Sequence, residues 1–565
     1  MAVAPFCVKI GRMNFRLKTH FLALLPVLSL ALSACAGSPP APPVAEKPKL
    51  VVLIVIDGFP QRQATAYRDQ LAPDGLARFL DRGTWFADAH YSHAYTVTGA
   101  GHATLLTGAT PSRSGIIGNE WRDPATGEPV YCTGDTSATY IGHPTRALDG
   151  TSPKNLKVPT LGDVLRGLDS RSKVIAVSGK DRGAILPAGH RGTAYIYMGG
   201  TGQFASSTYY MKEHPAWVND FNAAKPADRF FKSQWTALLP PPAYARSLPD
   251  GQTWFGPAGG ALPMRYGSAQ DDAPGPQYYG SLLRGPFQDQ LTLEFARAAV
   301  TAEQLGRDDA PDILSVSLSG HDYVNHAYSA ESRLSHDHTL QLDRMLQAFF
   351  KDLDAMVGKD RYVAVLTADH GFMPAPEHSA SLGLNAGRLN SSQLLARLNQ
   401  ALQARFGEGK WVRGFSGSTL LFDKTLTAQR QVDASALASA ARDILMAEPA
   451  MGAAYTRAEL LSGSRAGAPL FEAIRHAWHP DVSGDVHYAL KPNWLFSSGT
   501  SGTTHGSPHP YDTHVPIMLY GPKWFKPGRV DTRVAVVDIA PSLSRLLGVA
   551  APAGSQGQPL PLAAP

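Results

Sequence analysis

Uninterrupted apolar runs alternate along this chain with stretches whose apolar positions recur every three or four residues. "KLVVLIVIDGF" is apolar from Leu50 to Ile56, rich in β-branched residues, and ends on Asp57. Such a run predicts a strand buried on both faces of a parallel sheet. "DGLARFLDRG" follows, with Leu76, Phe79 and Leu80 at helical spacing. The same grammar recurs three times. "LGDVLRGLDSRS" precedes "KVIAVSGKDR", "LTLEFARAAVTAEQLG" precedes "DILSVSLSGHDYVNH", and "HTLQLDRMLQAFFKDLDAMVG" precedes "RYVAVLTADHG". Alternating helix and strand predict an α/β fold, a mainly parallel central sheet with helices on both faces. Each predicted strand ends in polar, reactive residues, where doubly wound sheets place their ligands.

Two stretches break the rhythm. Residues 190–285 are rich in Gly, Pro and Tyr, and residues 373–500 place helical pieces between polar loops. Both read as insertions over a site rather than as separate domains. Near the end, "VPIMLYGP" predicts a strand and "VVDIAPSLSRLLGV" a helix starting near Pro541. The division expected is a signal over 1–34, a flexible tether over 35–48, a catalytic domain over 49–549 and a fraying tail over 550–565.

Composition refines this picture at the N-terminus. The formal charge is +5, but Lys9, Arg12, Arg16 and Lys18 all precede the apolar run Phe21–Cys35, and the rest is close to neutral. No polybasic stripe remains, so nucleic-acid binding gains no support. The basic start and short apolar run predict export from a bacterial cytoplasm to the periplasm. "LSAC", Leu32 to Cys35, is similar to a lipoprotein processing site, which makes Cys35 a candidate for lipid anchorage, with an ordinary cleaved signal as the alternative. Three cysteines, Cys7, Cys35 and Cys132, exclude a disulfide framework and a cysteine-rich zinc site. Cys132 has no assigned role. Any metal is left to Asp, Glu, His or hydroxyl oxygen.

Collected together, the predicted strand ends offer Asp57, Asp322 with His326, and Asp369 with His370. The glycine-rich loop "GTTHGSPHPYD" adds His505 and His509. Carboxylates mixed with imidazoles suit Zn²⁺, and so many ligands suit two ions. Taken singly, each has a structural reading: Asp57 as a turn cap, Asp322 and His326 as a surface helical pair, His370 as a core hydrogen-bonding group. "YTVTGAGHATLLTG" contributes four hydroxyls, Thr96, Thr98, Thr104 and Thr107, and local sequence does not choose among them.

In order and identity, "VIDGF", "TGAGHATLLTG", "GIIGNEW", "SGKDRGA", "SGHDYVNH", "TADHG" and "HGSPHPYD" resemble the alkaline phosphatase superfamily of two-metal phosphohydrolases. They are most similar to its PafA-like branch, which uses a threonine nucleophile and is related to the type I phosphodiesterase–nucleotide pyrophosphatases. The resemblance spans roughly Leu50 to Gly548. It implies one zinc held by Asp322, His326 and His505, and a second held by Asp57, Thr98, Asp369 and His370. It also implies Thr98 as nucleophile, four residues before His102, and Asn119, Lys180 and Arg182 as contacts to the phosphoryl oxygens. Without the resemblance, "GKDRG" reads as a solvated turn.

The chemistry agrees with that assignment. A threonine hydroxyl is a weak nucleophile until a metal lowers its pKa. Two zincs roughly 4 Å apart stabilise both oxygens of an in-line displacement. Gly99 and Gly101 are expected to give phosphate room at a helix start, whose free N–H groups favour an anion. Cations at positions 180 and 182 favour a monoester dianion over a diester. The expected activity is broad-range hydrolysis of small phosphate monoesters through a phosphothreonine. The alternatives are a nucleotide pyrophosphatase/phosphodiesterase and, without catalysis, a phosphate-ester-binding lipoprotein. A sulfatase is disfavoured because "ATPSR" begins with Ala109, where sulfatases carry Cys or Ser. No obligate protein partner is inferred, and His102, His321, His509 and Asp512 are candidates for supporting roles.

Overall fold

The computed structural model describes residues 46–256 and 260–563. The expected signal, and Cys35 with it, lie outside the described residues. Nine strands form the central sheet: β1 (Leu50–Ile56), β2 (Thr84–Phe86), β3 (Val174–Ser178), β4 (Thr193–Met198), β5 (Gln203–Ala205), β6 (Asp312–Leu318), β7 (Tyr362–Thr367), β8 (Ile517–Tyr520) and β9 (Gly528–Val530). Their spatial order is β5-β4-β3-β6-β1-β7-β8-β2-β9. The run β4-β3-β6-β1-β7 is parallel, and β8 enters antiparallel between β7 and β2. Every residue of β1 is fully buried, and since alternate side chains point to opposite faces, both faces of the sheet are covered.

Register brings the reactive strand ends together. Ile56 pairs with Leu318, Val55 with Thr367, and Ser317 with Ser178. Asp57, the helix after β6, Lys180 and Asp369 therefore emerge along one edge. The helix α1 (Thr98–Thr107) follows an extended Val97 and stops at Gly108, whose φ of 65° is readily adopted by glycine. Behind the strands, Thr160 and Asp163 form a capping box that starts α2 (Leu161–Leu168). Lys180 precedes α3 (Asp181–Ala188). Two further helices, α4 (Pro286–Ala302) and α5 (Gly320–Tyr328), flank β6, and α6 (Arg333–Met356) leads to β7.

The structure departs from the sequence expectation in three places. The first insertion starts later than residue 190, because β4 and β5 belong to the central sheet. Tyr195 and Phe204 pack on Phe295 of α4, with Phe204 and Phe295 stacked at 4.3 Å. The second insertion has its own four-stranded sheet, Val412–Ser416, Thr419–Phe422, Val486–Leu490 and Met451–Thr456 in spatial order. A separate apolar cluster including Leu398, Trp411 and Leu437 supports it, although residues 47–565 form one compact unit. The last helix, α7, spans Ile539–Leu547 and starts near Pro541, as expected. The tail after Ala550 does not fray: Leu560 is buried, and the Gln556 side chain accepts a hydrogen bond from Thr110 N at 2.9 Å. No described helix is long and apolar enough to cross a membrane.

Candidate active site

At the shared edge of the sheet, Asp57, Asp322, Asp369 and His370 are buried within one cluster. Asp57 follows β1, Asp369 and His370 follow β7, and Asp322 and His326 stand one helical turn apart on α5. His370 Nε2 lies 3.5 Å from Asp57 Oδ1 and 3.4 Å from Asp369 Oδ2. Across the cluster, Asp322 Oδ1 lies 3.4 Å from His326 Nε2 and 3.5 Å from His505 Nε2. The rings of His370 and His505 stack at 3.4 Å, 11° from parallel. Two groups able to hold a metal ion share His370: Asp57, Asp369 and His370 form one, and Asp322, His370 and His505 the other.

The donor set fits cations. Both oxygens of Asp57, Oδ1 of Asp322 and Oδ2 of Asp369 are buried without a hydrogen-bond partner among the described residues. Buried acceptors left in this way are costly, and a metal ion satisfies them. Lys180 answers part of the charge: its Nζ lies 2.8 Å from Asp57 and 2.5 Å from Asp322. Burial and the neighbouring Asp369 raise Asp57 well above the usual carboxylate range. Burial acts the same way on Asp322, but Lys180 and the surrounding histidines outweigh it and hold that carboxyl well below the range. Burial pushes His505 and His326 down, which keeps their imidazoles neutral and able to ligate.

Thr98 begins α1, and its Oγ1 faces His370 Nε2 at 3.5 Å. The other three hydroxyls are engaged elsewhere. Thr96 donates to Ser507 O at 2.9 Å, Thr104 to Ala100 O at 2.9 Å and Thr107 to Ala103 O at 2.5 Å. His102 Nδ1 donates to Thr98 O at 2.9 Å and also faces Asp369 Oδ2 at 3.2 Å, while Nε2 accepts from the Ser317 hydroxyl at 2.8 Å. Two acceptors at Nδ1 place the proton there, so His102 ties the start of α1 to the carboxylate cluster.

A β-carbon at Gly101 would overlap the Asp369 carbonyl, and one at Gly99 would lie 2.9 Å from Gly118 O. The two glycines therefore let α1 approach protein backbone. Gly99 N donates to Asn119 Oδ1 at 2.7 Å, which fixes the Asn119 amide and leaves its NH₂ as a donor. Arg182 stands on the flank, with Nη1 donating to the Tyr131 hydroxyl at 3.1 Å. That hydroxyl donates in turn to Asp181 at 2.5 Å.

Tyr131 was not legible as a site residue, since it ends a short strand, Pro129–Tyr131, far along the chain from Arg182. Tyr323, whose ring faces Lys180 Nζ at 5.0 Å, carried a signal in its place inside "HDYVNH". His321 bonds to Gln63 and His338, His509 to Leu490 O, and Asp512 to Ser507. Cys132 is buried beside Gly99, and burial pushes its thiol up to about 12. A further Asp/His group, Asp88, His90 and His514, lies elsewhere. Its rings are stacked, and both His90 nitrogens are hydrogen-bonded.

Comparison with known proteins places this geometry. The family described as type I phosphodiesterase / nucleotide pyrophosphatase matches residues 51–512. Alkaline phosphatase PhoV of Synechococcus elongatus is 34% identical over 530 residues, 92% of this chain and 93% of that protein. Alkaline phosphatase PafA of Elizabethkingia meningoseptica is 33% identical over 524 residues, 91% of this chain and 94% of that protein. The crystal structure of wild-type PafA superposes with a TM-score of 0.84 at 32% identity, covering 91% of this chain and 98% of the other. A PafA variant substituted at one threonine, one asparagine, one lysine and one arginine is similar too, with a TM-score of 0.83 at 31% identity, covering 91% and 98%.

Proposed function

We infer that this chain, which belongs to the type I phosphodiesterase / nucleotide pyrophosphatase family, is an alkaline phosphatase, a hydrolase of phosphate monoesters. The observation that carries the reading is the Thr98 hydroxyl facing a buried carboxylate–imidazole cluster with unsatisfied acceptors. Two zinc ions are the cofactors, one on Asp322, His326 and His505, the other on Asp57, Thr98, Asp369 and His370. When bound, they supply Lewis-acid stabilisation and lower the pKa of the hydroxyl and of water.

Thr98 Oγ1 gives up its proton to solvent and attacks phosphorus, the ester P–O bond breaks, and the alcohol leaves with a proton from solvent. Water then attacks the phosphothreonine, the P–O bond to Thr98 breaks, and phosphate departs. His102 holds the Thr98 backbone in place. Asn119, Lys180 and Arg182 contact the non-bridging oxygens. The same four residue types are substituted in the PafA variant, which supports these assignments. The catalytic body begins at about residue 49 and includes the packed tail after Ala550, with both insertions shaping the entrance. The N-terminal segment exports it, with Cys35 as a candidate anchor.

The test is hydrolysis of simple aryl and sugar monoesters by the zinc-loaded chain, with metal content measured on the same sample. Phosphate release by wild type and its loss in Thr98→Ala are expected; no release by wild type overturns the reading. Phosphodiester hydrolysis is the second reading. The Lys180/Arg182 pair disfavours it, because a diester offers those cations less charge. Faster turnover of a diester than of a monoester would favour it.

A further inference from the structure

A groove of about 250 Å³ lies between the loop around His505 and the sheet of the second insertion. Tyr95, Met373, Tyr488, Trp494 and Phe496 line it together with His505. Tyr488 and Phe496 meet edge to face at 5.7 Å, and Phe415 packs against both at 5.5 and 5.4 Å. The Tyr488 hydroxyl donates to Gly417 O at 3.0 Å, so this wall is held in place. Trp494 and Phe496 remain half-exposed. No lysine or arginine occurs among the described lining residues, and Asp512, which also lines the groove, keeps Oδ1 buried without a hydrogen-bond partner.

His505 connects the groove to the chemistry, because its ring lines the groove while its Nε2 faces Asp322 at 3.5 Å. Thr98 faces His370, and an in-line displacement sends the leaving oxygen away from the nucleophile, which leaves the Asp322, His326 and His505 side for the other end of the ester. An aromatic-walled groove without a cation there is matched to a flat neutral group rather than to phosphate. Its volume falls below the roughly 300–1,000 Å³ of sites for drug-sized ligands, which suits one ring system rather than a polymer. Aromatic walls reward offset and edge-to-face contact with another ring beyond the area they bury.

We propose that this groove binds the leaving group of the ester and selects alcohols that carry a planar aromatic ring. The proposal rests on the phosphatase reading above. It is tested with the full, zinc-loaded chain on 2-phenylethyl phosphate and n-butyl phosphate, whose alcohols are similar in acidity. The expected result is kcat/KM at least about tenfold higher for the phenylethyl ester. Phe496→Ala and Trp494→Ala should each remove most of that preference, with an unchanged circular dichroism spectrum and zinc content reporting an intact fold. Equal kcat/KM for the two esters in wild type, or a preference that survives both substitutions, overturns the groove assignment while the phosphatase reading stands. Failure of wild type to hydrolyse either ester overturns the phosphatase reading, and the groove with it.

Discussion

Gly101 lies so close to the carbonyl oxygen of Asp369 that a β-carbon at position 101 would overlap it. The helix that presents Thr98 thus rests directly on the backbone of an assigned metal ligand. A backbone carbonyl cannot swing aside as a flexible side chain can, so Gly101→Ala must move α1 away from Asp369. Overpacking of this kind costs about 1–3 kcal/mol, and a displacement of about 1 Å at a reacting group costs about a hundredfold in rate. The expected variant is folded, melts at lower temperature, and has kcat reduced by about ten- to a hundredfold. Wild-type melting and turnover would show that the contact does not position Thr98.

Metal removal should destabilise the chain as well as silence it. Without cations, the unpartnered oxygens of Asp57, Asp322 and Asp369 leave Lys180 as their main countercharge. An ion that binds the native state alone stabilises it by mass action. Chelation is expected to lower the melting temperature by several degrees, and added zinc to restore both melting and turnover. An unchanged melting temperature in a sample shown to be metal-free would contradict the assigned ligand set.

Much of this cluster was legible because its carboxylates and imidazoles stand where apolar runs stop. The run into Asp57 and the turn after "VAVLT" announce buried parallel strands, and register then makes their ends neighbours. What was not legible depends on contacts across the fold. The overlap between Gly101 and Asp369 spans two elements far apart in sequence, so the glycines read as room for phosphate at a helix start and their contact with the Asp369 backbone stayed hidden. Lys180 read as a phosphate contact, yet it also bridges Asp57 and Asp322, a charge balance that spacing does not encode. The strands β4 and β5 were hidden because "TAYIYM" and "QFA" are short and sit among glycines. Their place in the sheet comes from packing on Phe295.

Asp289 gives the fold a pH dependence apart from catalysis. Burial lifts its carboxyl to about 7 from an ordinary value near 3.8. One oxygen accepts from Gly320 N at 3.0 Å, and the other lies 3.4 Å from Nε2 of His338, whose pKa burial lowers to about 3. Because the folded pKa exceeds the unfolded one, the stabilisation is complete below about pH 4 and is lost as pH rises through about 7. At 1.36 kcal/mol per unit, the change is on the order of 4 kcal/mol. Asp289→Asn stays neutral, so urea unfolding of the zinc-loaded variant should show a flatter profile than wild type between about pH 5 and 8. Parallel profiles for the two proteins would rule this out.

Tyr131 should matter to monoester hydrolysis without touching the metals. Its hydroxyl donates to Asp181 and accepts from Arg182 Nη1 at 3.1 Å, while the second Asp181 oxygen is tied to Gly150 N at 2.9 Å. Burial, followed by the nearby Asp181 charge, pushes that hydroxyl far above its ordinary range, so it remains a donor throughout the working pH. Tyr131→Phe keeps the ring and removes both bonds, leaving the Arg182 guanidinium with Asp181 at 4.0 Å. A guanidinium no longer held in position contacts the phosphoryl oxygens less well. The loss is largest for a dianion, which places the most charge on those oxygens. The expected outcome is kcat/KM for an aryl monoester reduced by about tenfold, a much smaller loss for the matching diester, and unchanged zinc content. Equal losses on both esters, or none, would remove Tyr131 from the positioning of Arg182.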